Sequence, residues 1–584
     1  MAYTAPLDDI VFTLTSVADF PRVAEMVCSG TLDDGTLSVL LEQAGAFASD
    51  ILAPLNRSGD RAGAVFGDGV VRMPAGFVSA YRQWVDAGWN AVSAPPEWGG
   101  SGLPLTLNAC VLEMHTSACM AFGLSPVLTQ AAADLLRAHG SDGLREAYLP
   151  QLVSGAWTAT MALTEPQAGS DLRLLRTKAV PQEGDGTFRI IGQKIFITYG
   201  EHDLTDNIVH MVLARLPDAP EGTKGLSLFL VPKVLPDGRR NDVDCIGIEH
   251  KMGLHASPTC TLVFGERDGA VGWLVGEPHQ GLAAMFTMMN RARLLTGIQG
   301  VAIAERSFQK ALAFACERRQ GKGPGGPGAA AIIDHPDVQR MLMTMRVLTA
   351  AARGIAYTTA SVIDRAEHGD ANAGELAGIL TPVTKAFCAE AGIDAASLGI
   401  QIHGGMGYVE ETGAAQYLRD VRVTSIYEGT NGIQAIDLVT RKIGRNQGLV
   451  LAAVTVEWGD LAESALGADD PHLRALAERL KSALGSLRQA TEWILSGERD
   501  EVERLGAATA YLRLLGVTMG GAVLIRGARA AVVRNRAGEH GPVFSRAIAN
   551  ARFYADHVLI GAPALCHTVL GGSDSLALAK ETLT

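Results

Sequence analysis

The stretch Ser425-Ile426-Tyr427-Glu428-Gly429-Thr430-Asn431 is followed by apolar residues at helical spacing, so it predicts a turn that leads into a helix. Gly429 permits a positive φ or the close approach of a ligand, and Thr430 or Asn431 can cap the helix. Glu428 would then lie on a turn at a helix N-terminus, which suits a general base. Taken alone, an acidic residue favoured by the helix dipole is the more common explanation of this pattern.

Composition limits the classes of protein to consider. A chain of 584 residues exceeds one core, so we expect about two to four domains. The net charge of −12, without a basic block, argues against a nucleic-acid surface. The acidic N-terminus is unlike a signal peptide, no apolar run is long enough to predict a membrane span, and eight scattered cysteines indicate neither a zinc site nor a disulfide framework. A cytoplasmic protein is expected.

The periodicity of the sequence predicts a mainly helical protein with a β insert. Residues up to about 158 have helical patterns, with a short hairpin at 66–71. Residues 159–278 alternate β-rich runs with turns, which indicates a small antiparallel sandwich or barrel. Long helical patterns in 279–445 predict a four-helix bundle, and residues 446–584 predict an additional helical domain. A β-domain placed between helical domains is an uncommon order.

Two motifs in the β-domain could meet a flat heterocycle. Met161–Asp171 combines turn formers, small hydroxyls and exposed backbone donors, which suit a carbonyl-bearing ring or a pyrophosphate. In Gly192–Gly200, Phe196 and Thr198 would point to one face of a strand and could stack on such a ring and hydrogen-bond to it. An ordinary turn and a packed strand explain each motif equally well when it is considered alone.

Together these motifs resemble the acyl-CoA dehydrogenase family over about residues 37–445. The family's motifs occur here in the same order, on the same succession of domains, which makes a chance match very unlikely. The matching stretches are Pro96–Gly102, Thr164–Asp171, Lys194–Thr198, Asn290–Arg293, Glu317–Arg318, Gln401–Tyr408 and Tyr427–Thr430.

The resemblance implies a helical N-terminal domain at 37–158, a middle β-domain and a four-helix bundle, with FAD between the last two and completed by a neighbouring subunit. Glu428 matches the catalytic base, since Ala292 occupies the position where some relatives carry it. The positions that match FAD contacts are Met161, Leu163, Thr164, Ser170, Phe196, Thr198, Arg318, Gln401, Gly404, Gly405 and Thr430. The positions that match substrate contacts are Ser170, Asn290, Arg293, Tyr427 and Gly429.

The implied reaction is the α,β-dehydrogenation of an acyl-CoA thioester to a trans-2-enoyl-CoA. Glu428 would remove the α-proton while the β-hydrogen leaves as hydride to flavin N5. The backbone N–H of Glu428 and a flavin ribityl hydroxyl would polarise the thioester oxygen. Substrate entry would expel water and raise the pKa of Glu428, and an electron-transfer flavoprotein would then take the electrons.

Two positions depart from the family pattern. Arg318-Arg319-Gln320-Gly321-Lys322, followed by a Gly/Pro-rich loop expected to be mobile, stands where relatives commonly have an aromatic residue that packs on FAD. Asn290 replaces the usual aspartate beside the substrate. Tyr427 could orient Glu428, although packing is the simpler interpretation, and His403 is expected to be a helix-end residue that lines the FAD site.

The two ends of the chain resemble a long branch of the family, with an N-terminal extension (1–36) and the added C-terminal domain (446–584). That branch includes enzymes for 3-(methylthio)propanoyl-CoA, and a short- or medium-chain fatty acyl-CoA is another candidate substrate. The added domain could block the family's usual tetramer, so we expect a homodimer. The alternatives are an acyl-CoA oxidase that uses O₂ and a non-catalytic, DNA-associated relative. The acidic net charge and the intact Glu428 argue against the second alternative.

Overall fold

The computed structural model describes residues 3–29, 32–184, 186–323, 328–466, 471–497, 499–577 and 579–583, and the statements below concern these residues. Most of the Gly/Pro-rich loop predicted to be mobile, at 324–327, lies outside them. The chain forms two compact units. Unit 1 contains Met1–Gly45, Pro104–Ser117 and Arg293–Thr584, and unit 2 contains Ala46–Leu103 and Ala118–Ala292.

Helices dominate the chain before the β-domain, as predicted. The predicted hairpin is also present, as β1 (Val65–Gly67) and β2 (Val70–Arg72), which pair antiparallel. Helix α8 begins with a cap, because the Ser141 side chain accepts the Leu144 backbone N–H at 3.4 Å. The helices are α1 (Leu7–Ser16), α2 (Phe20–Cys28), α3 (Asp34–Phe47), α4 (Ala53–Ala62), α5 (Phe77–Asp86), α6 (Leu105–Ala118), α7 (Met120–His139) and α8 (Asp142–Ser154).

The β-domain forms one sheet that closes on itself, because its last strand pairs with two others, β5 and β7. Apolar side chains fill the interior, among them Val212, Phe229 and Leu262. The strands are β3 (Thr158–Ala162), β4 (Lys178–Pro181), β5 (Phe188–Thr198), β6 (Ile208–Arg215), β7 (Leu226–Pro232), β8 (Val243–Ile248), β9 (Thr259–Phe264) and β10 (Ala270–Val275).

The prediction of a wholly antiparallel sheet is wrong for two of its pairings. Strand β3 runs parallel to β6, with Thr158 opposite Ile208, and β4 also meets β6 in parallel. A parallel pair needs a long crossover, and the many residues between β3 and β6 supply it. This pairing could not be predicted, because β3 is short and its periodicity carries no information about its neighbour. Two of the β-rich runs of this region, at 188–191 and 195–198, form the single strand β5.

Four helices build the predicted bundle. Helices α9 and α11 approach closely at Gly300, where an added Cβ would lie 2.1 Å from the Cys388 carbonyl oxygen. The fourth helix, predicted at 430–443, is α-helical over Asn431–Asp437 and continues as a π-helix over Leu438–Lys442. The elements are α9 (Gly281–Glu317), the hairpin β11 (Arg319–Lys322) and β12 (Ala329–Ala331), α10 (Pro336–Glu367), α11 (Ala373–His403), α12 (Gly405–Tyr408), α13 (Ala414–Val421) and α14 (Asn431–Asp437).

A buried ionic network lies in the core of unit 1. Arg353 Nη2 donates to Glu113 Oε1 at 2.6 Å and to Glu305 Oε2 at 2.9 Å, and the Tyr357 hydroxyl donates to Glu113 Oε2 at 2.6 Å. Buried charges are tolerated only when they are paired and hydrogen-bonded, so this network depends on all its members.

The added C-terminal domain is helical, as predicted, and the N-terminal extension packs against it. Phe12 of α1 meets Phe544 edge to face, with ring centroids 5.9 Å apart, and Arg546 Nη2 lies 2.8 Å from Asp9 Oδ1. Both ends of the chain therefore belong to unit 1. The C-terminal helices are α15 (Leu449–Leu466), α16 (Pro471–Leu495), α17 (Glu501–Arg536), α18 (Pro542–His557), α19 (Ala562–Ala577) and α20 (Ala579–Leu583).

Two helices of unit 1, α11 and α17, are long and apolar enough to cross a membrane by length and composition. No apolar run was predicted at either position, since charged residues such as Lys385 and Arg513 interrupt both helices. Within the most apolar window of each helix, 67% and 72% of the residues are buried inside the protein. This burial is typical of the core helices of a folded domain.

Candidate active site

The turn that carries Glu428 has a left-handed backbone. Glu428 has a φ of +56° and Gly429 a φ of +84°, a region that side chains other than glycine rarely adopt. Such a conformation costs about 1–3 kcal/mol at a glutamate and persists only where the surroundings hold it. Thr430 then caps α14, because its Oγ1 accepts the Ile433 backbone N–H at 3.2 Å. The turn, the positive φ and the cap that the sequence predicted are all present.

Long side chains hold the two carbonyl groups of this turn. Arg293 Nε donates to the Glu428 carbonyl at 3.3 Å, and Gln434 Nε2 donates to the same oxygen at 3.0 Å. Lys385 Nζ donates to the Gly429 carbonyl at 2.8 Å. These bonds stabilise the left-handed backbone. The contacts of Gln434 and Lys385 were not predicted, since no local pattern shows that side chains on α14 and α11 reach this turn.

The carboxylate of Glu428 has one buried oxygen with an unused bonding capacity. The residue is half-buried, but its Oε2 is buried and receives no hydrogen bond from the described part of the chain. Burial raises the pKa of Glu428 to about 7, against the opposing effect of the positive charges of Arg293 and Lys385. A carboxylate with a pKa near neutrality and an uncommitted oxygen is suited to accept a proton from a weak acid.

Tyr427 is held by hydrogen bonds from its side-chain hydroxyl and from its backbone N–H. Its hydroxyl donates a short hydrogen bond to Gln299 Oε1 on α9, and its backbone N–H donates to the Val423 carbonyl at 3.1 Å. The hydroxyl is thus bonded to an amide rather than to the Glu428 carboxylate. Tyr427 therefore forms a hydrogen bond to α9 in addition to the packing role predicted for it. The sequence could not show this bond.

In unit 2, the Met161–Asp171 motif is anchored by a buried ion pair. Lys194 Nζ lies 2.9 Å from Glu165 Oε1, and both side chains are almost fully buried. Glu165 also accepts the backbone N–H groups of Arg176 and Thr177 at 2.8 and 2.9 Å. Burial opposes ionisation, but the Lys194 charge and these hydrogen bonds lower the pKa of Glu165 to about 2. The two motifs quoted from the sequence are therefore tied to each other. The pairing of Lys194 with Glu165 was not predicted.

Beside this anchor, the predicted flavin-facing residues are accessible. Phe196 is 57% exposed with a φ of +59°, at an irregularity in the β5–β9 register, and Ile197 beside it is buried. Thr198, Met161, Leu163 and Thr164 are half-buried, and Ser170 is exposed. The burial pattern agrees with Phe196 and Thr198 sharing the open face of the strand.

The residues that match the adenine half of FAD lie in unit 1 and are exposed. Arg318 Nη2 donates to Gln320 Oε1 at 3.2 Å, so Gln320 contacts the guanidinium where relatives have an aromatic residue. Gln401, Gly404 and Gly405 are exposed at the end of α11. His403 is the last residue of α11, as predicted, and it is buried and stacks on Phe314 with centroids 4.4 Å apart.

The predicted substrate residues on α9 differ in their exposure. Asn290 is half-buried, whereas Arg293 is only 5% exposed and turns toward the Glu428 carbonyl. Between them, Arg291 Nε forms an ion pair with Asp134 Oδ2 at 2.7 Å. Arg293 thus has a structural contact with the base turn that the family resemblance did not indicate.

The residues present in each of the two units fit FAD. In unit 2, an aromatic ring (Phe196) stands out from the sheet beside a hydroxyl (Thr198), which suits a flat ring system. In unit 1, a Cβ built at Gly404 or Gly405 would meet no described atom within 4 Å apart from its own chain neighbours, so the backbone there leaves open space. The guanidinium of Arg318 and the amide of Gln401, both exposed in the same unit, are donors suited to phosphate and to adenine.

Known proteins share this architecture. Models of the N-terminal, middle and C-terminal domains of acyl-CoA dehydrogenase match residues 37–156, 160–266 and 279–443. A model described as acetyl-CoA dehydrogenase C-terminal like matches residues 454–579. The structure of Caenorhabditis elegans ACDH-11 with C11-CoA has a TM-score of 0.77 at 21% identity, covering 96% of this chain and 92% of that one, which shows a common fold.

Two relatives match over nearly the whole length. The chain is 43% identical to 3-methylmercaptopropionyl-CoA dehydrogenase of Ruegeria pomeroyi, covering 99% of this chain and 100% of that protein. It is 33% identical to the broad-specificity linear acyl-CoA dehydrogenase FadE5 of Mycobacterium tuberculosis, covering 95% of each. These relatives give no support to the oxidase or the DNA-associated alternative. The chain belongs to the acyl-CoA dehydrogenase family, whose members are FAD-dependent oxidoreductases.

Proposed function

We propose that this protein oxidises 3-(methylthio)propanoyl-CoA to the corresponding trans-2-enoyl-CoA, with Glu428 as the catalytic base. The observation that carries the proposal is the buried Oε2 of Glu428, which receives no hydrogen bond from the described residues and belongs to a carboxyl group whose pKa is raised to about 7. An acid of ordinary pKa would be a weak base for the α-hydrogen of a thioester.

Glu428 accepts the α-proton at its free oxygen, and the new Cα=Cβ bond forms as the β-hydrogen departs. When bound, FAD supplies the acceptor for that hydrogen as hydride. The turn matters to this step, because the left-handed backbone fixes where the carboxylate points. Arg293 and Lys385 hold that backbone and keep part of the Glu428 population ionised at neutral pH.

The residues proposed to hold FAD fall into two groups. Met161, Leu163, Thr164, Ser170, Phe196 and Thr198 would serve the flavin and its phosphates. Arg318, Gln401, Gly404, Gly405 and Thr430 would serve the remainder of the cofactor. For the substrate, Ser170, Asn290, Arg293, Tyr427 and Gly429 are the proposed positions. The domain boundaries at 36, 158, 278 and 445 also stay predictions.

The choice of acyl group is supported by the relative that is 43% identical over the full length and is named for 3-methylmercaptopropionyl-CoA. A butyryl-CoA dehydrogenase of Syntrophomonas wolfei, 38% identical over 68% of this chain, makes a short straight-chain acyl-CoA the next substrate to test. Both substrates carry a β-methylene group next to the acidic α-position, so the same base serves either.

We propose further that the protein is a cytoplasmic homodimer that passes its electrons to an electron-transfer flavoprotein. The dimer is supported by the exposed surface around the adenine-half residues, where Tyr408 is 87% and Met406 52% exposed. Apolar side chains this exposed favour coverage by another protein surface. A neighbouring subunit there would also complete the cofactor site.

The test uses purified holoenzyme under anaerobic conditions and follows flavin absorbance after addition of single acyl-CoAs. The panel comprises 3-(methylthio)propanoyl-CoA, butyryl-CoA and a long-chain acyl-CoA. We expect the first to bleach the flavin fastest and Glu428→Gln to remove bleaching while retaining bound FAD. Turnover by Glu428→Gln within a few-fold of wild type would overturn the base assignment. Faster bleaching by another thioester would overturn the substrate assignment alone.

A further inference from the structure

The added C-terminal domain contacts one of the helices that hold the catalytic turn. Helix α17 packs on α11, where a Cβ added at Gly516 would lie 3.0 Å from the Phe387 ring. Three residues further along α11, Glu390 Oε2 lies 3.1 Å from Arg513 Nε of α17. The added domain thus reaches the helix that carries Lys385 by both apolar packing and an ion pair.

From Glu390, hydrogen bonds continue to the turn. Glu390 Oε1 accepts from Asn431 Nδ2 at 3.3 Å, and Asn431 Oδ1 accepts from Lys385 Nζ at 3.0 Å. Lys385 Nζ also donates to the Gly429 carbonyl at 2.8 Å. Asn431 is the first residue of α14, so these contacts hold the turn on its C-terminal side, within three residues of the proposed base.

Lys385 is the tightly constrained member of this chain. It is fully buried, and burial lowers the pKa of its ammonium group to about 7, although the charges of Glu428 and Glu390 act to raise it and Arg293 acts to lower it further. A buried ammonium group is costly unless each of its donors finds a partner. Of the two oxygens it contacts, one is the Gly429 carbonyl of the turn and the other is the side-chain oxygen of Asn431, which begins α14.

We infer that Lys385 is a positioning residue for the catalytic turn, and that the chain Arg513–Glu390–Asn431–Lys385 makes the added C-terminal domain part of that positioning. The inference rests on the proposed role of Glu428. It gives the C-terminal domain a function in the reaction, since Arg513 of α17 pairs with Glu390, and Glu390 orients the amide of Asn431.

The strength of the links is graded. Arg513 is 57% and Glu390 34% exposed, so their ion pair is largely solvated and weak. The bonds of Lys385 are buried and charge-assisted, and therefore stronger. If these contacts served only to hold the fold together, the effect of a substitution on the reaction would not increase from Arg513 to Lys385.

The experiment compares three holoenzyme variants: Lys385→Met, Glu390→Gln and Arg513→Gln. The control is Arg529→Gln, an exposed arginine of the same helix α17 with no hydrogen bond or ion pair to the described residues. The first readout is kcat and KM for the best acyl-CoA at several pH values. The second is hydrogen–deuterium exchange of the peptide 425–434, which reports on the turn whether or not Glu428 is the base.

We expect Lys385→Met to lower kcat on the order of tenfold to a hundredfold and to speed exchange in the peptide. Because the Lys385 charge lowers the pKa of Glu428, its removal should also move the acidic limb of the rate profile to higher pH. Arg513→Gln should lower kcat about two- to fivefold with little change in KM, and Arg529→Gln should change neither readout. Adding Arg513→Gln to Lys385→Met should have no further effect, as for members of one network.

Unchanged exchange at 425–434 in folded, FAD-loaded Lys385→Met would overturn the positioning role of Lys385. The C-terminal domain would have no part in positioning the turn if Arg513→Gln and Arg529→Gln behaved equally. The same conclusion would follow if the losses of kcat multiplied in the variant that combines Arg513→Gln with Lys385→Met. If Lys385→Met does not fold, the same two readouts of Glu390→Gln decide whether the inference holds. This variant loses only a half-exposed charge. An active Glu428→Gln variant with faster exchange in Lys385→Met would instead reject the base assignment and keep the positioning role.

Discussion

Replacing the proposed base with its neutral isostere should stabilise the protein, in a pH-dependent way. Burial raises the pKa of Glu428 from its ordinary 4.5 to about 7. A carboxyl group whose pKa is raised in the fold contributes stability that is fully present below the unfolded-state value, and that contribution is lost as the pH rises through about 7. Glu428→Gln has no charge to bury, so it avoids this loss at pH 8.

The magnitude follows from the shift. A change of about 2.5 units corresponds to roughly 3 kcal/mol between low and high pH, and solvent that reaches this half-buried residue reduces it to about 2 kcal/mol. Between pH 5 and pH 8 the variant should therefore gain stability over wild type by about 2 kcal/mol, which is a few degrees in Tm. Function keeps the unfavourable carboxylate in place, as in other stability–activity trade-offs.

The assay is thermal unfolding of FAD-loaded wild type and Glu428→Gln at pH 5, 6, 7 and 8, followed by flavin fluorescence and circular dichroism. Glu478→Gln is the matched control, because Glu478 is exposed on α16 and the same change there should give a Tm difference that does not vary with pH. A Tm difference between Glu428→Gln and wild type that is the same at pH 5 and pH 8 would refute the argument that burial raises this pKa.

Three other changes test the frame of the site. Arg353→Met should destabilise unit 1 by about 3–5 kcal/mol, because it leaves the Glu113 carboxylate buried without its cation; calorimetry measures the loss, and a Tm like that of wild type would contradict the reasoning. Lys194→Met should destabilise unit 2 by a similar amount at pH 7 and by less at pH 4, since Glu165 without its partner becomes easier to protonate. Unfolding at both pH values measures the difference between the two losses of stability. That difference should vanish if the pair is not ionised. Phe196→Ala should leave Tm of the FAD-free protein unchanged, as expected for a ring 57% exposed, yet weaken FAD binding about tenfold in a fluorescence titration; unchanged affinity would exclude Phe196 from the cofactor site.

Local chemistry made much of the site predictable. The turn at Glu428, the positive φ of Gly429 and the Thr430 cap follow from residue types within a few positions of one another. The same holds for the hairpin at 65–72 and for the long bundle helices, whose apolar residues repeat with the helical period. The family was recognisable because its short motifs occur in a fixed order.

Contacts between distant parts of the chain were not predictable in this way. The parallel pairing of β3 with β6 has the same local pattern as an antiparallel one, so the sequence of either strand does not distinguish them. The Lys194–Glu165 pair joins two motifs that were each recognised, yet nothing in their spacing shows that the charges meet in the interior. Periodicity identifies which face of an element is buried, but it does not identify what covers that face.

The sequence by itself determined the identity of the catalytic candidate: a glutamate on a capped turn, within an ordered set of family motifs. Only the tertiary structure decided its chemical state. Burial of Oε2 and the positive charges of Arg293 and Lys385 set the pKa of Glu428, and these groups come from helices that are far from residue 428 in the chain. The physical reason is that a residue type fixes which proton can be exchanged, whereas solvation and charge in the folded protein fix the free energy of exchanging it.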